Sequence, residues 1–535
     1  MTRLGRKIKE KTMKQPNDTI NVLSTELSRH RRRLGSQSPR VFAEVYMKNN
    51  CNDPFSQMHE EIFGLLLEMT DKRKARLAIA APRGHAKSTI VSQVYVLWCV
   101  LYLKEKLILI ASNTQEQAVS LLKDIKHQLS NNPLIVSDFP EICRGKKPKP
   151  WRSNRIQLPN GAMICVYGVG QNPRGIKHDK DRPGLIIADD LENEEQAESE
   201  EQRNKLSSWF SRTLLNTGHP RTNVVVIGTI LHQDSLLATL VDRDRKPGWG
   251  GRKYKAVKQF SSNPQLWEKW ASIFCCKEEH EGNTGLDAAK LYFEANREKM
   301  LEGTDVLWPD RESYYDLMVM RGTEGLRSFQ SEKQNEPIDP QRCIFKEEDF
   351  MFWDDEYGDV QRLIQSMNGN GCFYGACDPS LGKSTRGDYT AIVILLRDDD
   401  REINYVIAAD LSHLVPSATI EKITEYAGMY EFEKFAIEIN NFQGLMVENL
   451  ERHIIACRRR LPIHKITSRT NKHSRIASLE PYIKQGNIRF CRKHRGLLDQ
   501  LTQFPLAKND DGPDALEMAM QAVKKKGGSY SIGEF

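Results

Sequence analysis

A chain of 535 residues that is 39% hydrophobic is too long for one ordinary core, and about two to four domains are expected. Its 78 Lys and Arg exceed its 71 Asp and Glu by 7, a mildly basic balance that suits a nucleic-acid partner without requiring one. No apolar run approaches the roughly 18 residues of a membrane span, the N-terminus lacks the apolar core of a signal peptide, and the eleven cysteines do not make a disulfide framework, so a soluble intracellular protein is expected.

Residues 1–50 are polar and basic, with Arg31, Arg32 and Arg33 in a row. They read as a helical or partly disordered arm whose charges either face solvent or meet DNA or a partner. From 51 to 240, short apolar runs alternate with helical patterns: LAIAA (77–81), LILIA (107–111), LIIAD (185–189) and NVVVIG (223–228). Fully apolar strands separated by helices predict a mostly parallel α/β sheet. Residues 241–345 lose that rhythm and read as a helical subdomain and linker that closes in the proline-marked SEKQNEPIDPQRC. Cys275, Cys276 and His280 cluster here, as Cys491 and His494 do later, without the paired spacing of a structural zinc site. A second strand series follows over 346–525: CFYGACD (372–378), YTAIVILL (389–396), INYVIAAD (403–410) and KFAIEI (434–439), a three-strand meander followed by helix and strand, hence a mixed sheet. Residues 526–535 form a tail, and no internal repeat is present.

The stretch APRGHAKST (81–89) follows the first strand and precedes the helix-like STIVSQVYVLWCVLY. It ends in the Lys-Ser of a nucleotide-phosphate loop, but Ala81 and Ala86 stand where the pattern has glycine. The requirements are inward backbone N–H groups, a lysine for the β/γ charge and a hydroxyl for Mg²⁺. Gly84, His85, Lys87, Ser88 and Thr89 retain them. Alanine costs little there if φ is negative and is strained if φ is positive. Alone the stretch is equally an incidental AKS. With LIIAD-Asp190 about a hundred residues on, where Asp189 ends an apolar strand and can hold Mg²⁺, it reads as a nucleotide site. Asp190, the acid that follows, is able to polarise the attacking water. Arg83 and Arg174 are the two candidates for the transition-state arginine, and either is equally an ordinary ion-pair former.

The series PRGHAKST, RPGLIIADDLEN, VVVIGTILHQDSLL and LWPDR resembles the large terminase subunit of tailed bacteriophages over roughly residues 50–525. Many members keep the second loop glycine, so Ala86 is a departure. The resemblance implies an N-terminal P-loop ATPase of the ASCE type. Lys87, Ser88 and Asp189 would lie on the phosphates and metal, Gln57 in FSQMHEEIF on the adenine, and Gly228-Thr229 in the coupling segment; Asp190 would take the place of the catalytic carboxylate, usually Glu, with Glu192 the alternative because an Asp reaches one methylene less far.

An ATPase leaves residues 370–525 unexplained. Asp378 and Glu438 end apolar strands, and Asp510, Asp511 and Asp514 open a helix in NDDGPDALEMAM, with Asp511 and Asp514 about one turn apart on one face. Cleaving a phosphodiester with two ions about 3.5–4 Å apart requires such converging carboxylates, and oxygen ligands suit Mg²⁺ or Mn²⁺. Helix capping accounts for one of these aspartates. Strand-Asp, strand-Glu, helix-Asp resembles the ribonuclease H-like, resolvase-like nuclease fold, which also forms the C-terminal domain of large terminases. By that resemblance Asp378, Glu438, Asp511 and Asp514 are metal ligands, with Asp510 possible in place of Asp511 and Asp388 structural. Lys465, Arg469, Lys472, His473 and Arg475 are suited to DNA phosphates or to solvent.

The resemblance further implies ATP and Mg²⁺ as cofactors, with Mn²⁺ possible at the nuclease, and double-stranded DNA, a procapsid portal, a small terminase subunit and a homo-oligomeric ring, taken as a pentamer, as partners. It implies action in the host cytoplasm and transiently at the procapsid vertex, with no membrane and no place in the mature virion. Two other readings are a cellular or mobile-element DNA-remodelling ATPase or helicase fused to a resolvase-like nuclease, and an inactive docking or scaffold protein.

Overall fold

The computed structural model describes residues 16–51, 53–145, 151–173, 176, 181–275, 282–339, 342–379, 390–439, 444–466, 471–507 and 509–523. The chain divides into two compact units, one of residues 1–259 with 304–337 and the other of 260–303 with 338–535.

The first unit is built on seven strands: β1 (Arg76–Ala80), β2 (Leu107–Ser112), β3 (Arg155–Gln157), β4 (Met163–Gly168), β5 (Leu185–Asp189), β6 (Asn223–Gly228) and β7 (Gly250–Lys253). They lie in the order β3-β4-β2-β5-β6-β1-β7, and only the β3–β4 pair is antiparallel. The four apolar runs read from sequence are β1, β2, β5 and β6, and every residue of β2, β5 and β6 is buried, as parallel strands covered on both faces require. β6 lies between β1 and β5, with Ala80 opposite Gly228 and Asp189 opposite Ile227. This inserted strand is the ASCE arrangement, and it brings the ends of β1, β5 and β6 to one edge of the sheet. A short antiparallel pair, β8 (Val257–Gln259) and β9 (Asp305–Val306), adds to these strands among the described residues.

Two arginines of the N-terminal basic run, Arg31 and Arg32, are engaged within the unit. Helix Pro16–Gly35 carries Arg31, whose guanidinium donates two hydrogen bonds of 2.5 and 2.7 Å to the buried Asp138, and Arg32 pairs with Glu141 at 2.8 Å. A buried carboxylate needs such a partner.

The second unit holds β10 (Met351–Phe352), β11 (Gly371–Asp378), β12 (Thr390–Asp398), β13 (Ile403–Ser412), β14 (Phe432–Glu438), β15 (Ile463–Ile466) and β16 (Ile488–Phe490), in the order β10-β16-β13-β12-β11-β14-β15. β11, β12 and β13 form the expected antiparallel meander, while β14 runs parallel to β11 and β15 parallel to β14. Alternation sorts the side chains onto two faces. Tyr374, Ala376, Val393 and Ala436 join the core under the helix Asp511–Ala522, and Cys377, Ile392, Phe435 and Ile437 join the core on the other side. The same parity places Asp378 with Ala376 and Glu438 with Ala436, on the face of the C-terminal helix. This mixed sheet is the ribonuclease H-like fold expected from the sequence.

Candidate functional site

In the first unit the loop after β1 bends through Gly84 (φ 84°) and Ala86 (φ 53°). Ala86 thus occupies the left-handed region, the conformation in which its Cβ is strained. Lys87 is 6% exposed and directs its ammonium to Thr229 Oγ1 at 3.1 Å, with Asp190 Oδ2 at 4.0 Å. Ser88 and Ser92 hydroxyls donate to the two oxygens of Asp189 at 2.9 and 2.6 Å. Burial, reinforced by the neighbouring Asp190, pushes the Asp189 carboxyl up to about 6, against the pull of the two hydroxyls and Lys87. Ser88 beside Asp189 is the hydroxyl–carboxylate oxygen pair that suits Mg²⁺, and the Lys87 ammonium beside it suits a polyphosphate, so nucleotide and ion fit the residues present.

Asp190 is exposed with φ 44°, and its backbone bridges β5 to its surroundings through Ile227 O and Asn113 N. Glu192 is differently employed: its carboxylate accepts from Leu236 N at 3.1 Å at the start of helix Leu236–Val241, and burial raises its carboxyl. Asp190 and Glu192 both line a cleft with Arg83, Asn113, Gly228 and Thr229. Gln57 is exposed at the first turn of helix Gln57–Lys72, two residues before the buried His59. His59 Nε2 donates to the loop carbonyl of His85 at 3.1 Å, and the indole of Trp308, from the LWPDR stretch, packs at 4.4 Å from the His59 ring and 5.9 Å from that of His85. Buried His85 is held neutral, its pKa lowered to about 4 chiefly by desolvation. Arg174 lies outside the described residues.

The loop also has partners that sequence spacing did not reveal. Arg83 Nε pairs with Glu332 at 2.8 Å, and Arg83 N donates to Glu332 O at 2.9 Å. Lys333 Nζ donates to Arg83 O at 3.1 Å and to Glu312 at 2.5 Å, while Asn335 Oδ1 accepts from Ile230 N, next to Thr229, at 2.8 Å. The sequence signal available was a charged run, SEKQNE, in an otherwise connector-like stretch.

In the second unit, ligand oxygens of Asp378, Glu438 and Asp514 lie within 4.8 Å of one another. β11 and β14 deliver the first two at adjacent strand ends, and Asp514 is buried in the first turn of the helix packed over them. Gly512, at the start of this helix, lies against Leu411 of β13 and donates its N–H to Gln500 Oε1 at 2.8 Å. Burial pushes Asp378 up to about 7, with Lys472 opposing and the other acids adding, and pushes Asp514 up to about 6 against Lys472 and Arg475. An all-carboxylate donor set of this size fits hard divalent ions such as Mg²⁺ or Mn²⁺. Asp510 and Asp511 stand beside the triad, each reaching Lys472 Nζ, at 2.9 and 3.5 Å.

Two residues read as contacts for DNA phosphates or solvent turn inward. Arg475 is 8% exposed and pairs with Asp514 at 3.0 Å and Glu517 at 3.3 Å, with Glu438 at 3.9 Å. Lys472 faces the acids, because uncompensated carboxylates this close together require cations. Lys465 pairs with Glu451 at 3.1 Å, and the His473 ring packs against Phe504. Asp388, Arg469, Cys276 and His280 lie outside the described residues.

Residues 375–523 match the family described as the Terminase RNaseH-like domain. No curated protein matches the chain. Among solved structures, the large terminase of a thermophilic bacteriophage in complex with ATP-gamma-S is 10% identical, with 88% of this chain and 99% of that chain covered and a TM-score of 0.27. The human cytomegalovirus terminase nuclease domain, Mn soaked and inhibitor bound, is 12% identical over 34% of this chain and 94% of that one, with a TM-score of 0.27. The large terminase nuclease of thermophilic phage G20c with bound zinc is 13% identical over 29% and 83%, with a TM-score of 0.24. The family match and the carboxylates gathered within the same segment together identify residues 375–523 as a terminase RNaseH-like domain.

Proposed function

We propose that this protein is a large terminase subunit, an ATPase and endonuclease that drives viral double-stranded DNA into a procapsid and cuts concatemeric DNA. The observation that carries the reading is the Asp378–Glu438–Asp514 cluster within a terminase RNaseH-like domain, in a chain whose other unit has a phosphate loop on a parallel sheet.

In the ATPase unit, Lys87 binds the β/γ-phosphates, Ser88 and Asp189 hold Mg²⁺, and Gln57 meets the adenine. Asp190 orients the attacking water in preference to Glu192, whose carboxylate is committed to a helix start. Arg83, once released from Glu332, or Arg174 supplies transition-state charge, and Gly228-Thr229, touching Lys87 through the threonine hydroxyl, passes the hydrolysis state to β6. In the nuclease unit, Asp378, Glu438 and Asp514 hold divalent ions, with Asp511 alongside. Bound there, such ions supply a nucleophile from water and stabilise the leaving oxygen. Portal protein, small subunit, a pentameric ring and residence in the host cytoplasm and at the procapsid vertex belong to the same proposal. No helix among the described residues is long and apolar enough to cross a membrane.

The test uses the full chain in ATP-hydrolysis, plasmid-nicking and prohead-packaging assays. Lys87→Ala should abolish hydrolysis and packaging while nicking with Mn²⁺ persists, and Asp378→Ala should abolish nicking while hydrolysis persists. Nicking that survives Asp378→Ala rejects the cluster, and hydrolysis unchanged in Lys87→Ala rejects the loop. Both activities present without packaging would favour a DNA-remodelling enzyme, and neither present would favour a scaffold.

A further inference from the structure

Lys472 opens the short helix Lys472–Ala477 and reaches into the nuclease cluster. Its Nζ lies 2.9 Å from Asp510 Oδ1, 3.4 Å from Asp514 Oδ2, 3.5 Å from Asp511 Oδ1 and 3.7 Å from Asp378 Oδ2. An ammonium has three donors, and here four carboxylates share it. Two of the four, Asp378 and Asp514, belong to the triad whose oxygens converge. An ion bonded at about 2.1 Å to Asp514 Oδ2 would lie within about 5.5 Å of this ammonium, so the two positive charges contend for the same oxygens.

The second cation of the cluster behaves differently. Arg475 is buried, and its planar fork is braced from behind by Glu517, so its charge is fixed. The Lys472 side chain is 36% exposed on a flexible four-carbon stem, which leaves it a way out to water.

We propose that Lys472 is a displaceable tethered counter-ion: it holds the carboxylates together when no metal is bound, and it must leave them when divalent ions enter, which sets the metal concentration at which the nuclease loads. The proposal rests on reading the cluster as a metal site. It makes Lys472 a regulator of metal occupancy, distinct from the ligands themselves.

The experiment measures Mn²⁺ binding to the full chain by the electron paramagnetic resonance of the free ion, counting only the binding that Asp378→Asn removes. Thermal melting is recorded with EDTA and with Mn²⁺. Lys472→Met should bind Mn²⁺ at least tenfold more tightly than wild type, melt lower in EDTA, and gain more on Mn²⁺ addition. Lys472→Arg, which keeps the charge, should bind no more tightly than wild type. Lys484→Met, which removes a lysine paired with Glu480 at 2.6 Å on the surface, reports the effect of one lost charge elsewhere and should stay within twofold of wild type. If Lys472→Met does not fold, Lys472→Gln carries the same expectation. Wild type that binds Mn²⁺ together with a neutral variant whose affinity is unchanged or weaker overturns the proposal alone. Wild type with no binding sensitive to Asp378→Asn overturns the metal-site reading and the proposal with it.

Discussion

Replacing Arg475 by methionine tests how the nuclease cluster is held. The side chain is 8% exposed and contacts Asp514 at 3.0 Å, Glu517 at 3.3 Å and Glu438 at 3.9 Å. Because the pair is buried, no surface discount applies, and removing one partner of a buried ion pair costs about 3–5 kcal/mol through the charge left uncompensated. Methionine keeps comparable apolar bulk, so little of the loss comes from a cavity. For a unit of this size each kcal/mol lowers the melting temperature by about 2–4 °C, which predicts a drop of about 6–20 °C in EDTA. Arg475→Lys should fall between, since it keeps the charge and loses the fork that reaches both Asp514 and Glu517. The assay is scanning calorimetry of the full chain, with the transition of the second unit identified by its response to Mn²⁺. A shift below about 2 °C for Arg475→Met would show that the carboxylates do not depend on this guanidinium, and the description of the cluster as a compensated buried network would fail.

Ala86→Gly should stabilise the phosphate loop by about 1 kcal/mol, since φ 53° strains alanine and not glycine; a loss on thermal melting would mean the loop takes another conformation. Asp190→Asn should lose hydrolysis and keep nucleotide binding, whereas Glu192→Gln should mainly weaken the start of helix Leu236–Val241, by about 1 kcal/mol; a reversed pattern in turnover and melting would exchange their roles. His85 should contribute a loss of stability to the first unit as pH drops from about 6.5 towards 4, opposed below about 6 by the raised Asp189 carboxyl, which takes its proton first in the folded state. Burial lowers the folded pKa of His85 to about 4, so the unfolded chain takes the proton first and the stabilisation present above 6.5 is progressively lost. His85→Gln should therefore shift the slope of melting temperature against pH in that window towards less loss on acidification than wild type, and an unchanged slope would refute the assignment.

What the sequence by itself determined is what local pattern can encode. Runs such as LILIAS and NVVVIG are apolar at nearly every position, rich in β-branched residues and of strand length, which reads as strands covered on both faces, with the acids ending β5, β11 and β14 at strand ends. Parity along β11 and β14 even fixes the face to which Asp378 and Glu438 point. Beyond the meander of neighbouring strands β11, β12 and β13, pairing was out of its reach. That β6 separates β1 from β5 depends on long-range register, and the short strands β3, β7, β15 and β16 carry too few residues for a period to show. Ala86 is compatible with either sign of φ until the surrounding loop imposes one. Lys472 and Arg475 look like any charged run, and only the approach of helix Asp511–Ala522 to the ends of β11 and β14 makes them counter-ions. Glu332 and Lys333 reach the phosphate loop across some 250 residues of chain, a contact that no local spacing encodes because it depends on how the helix ending at Glu332 packs against that loop.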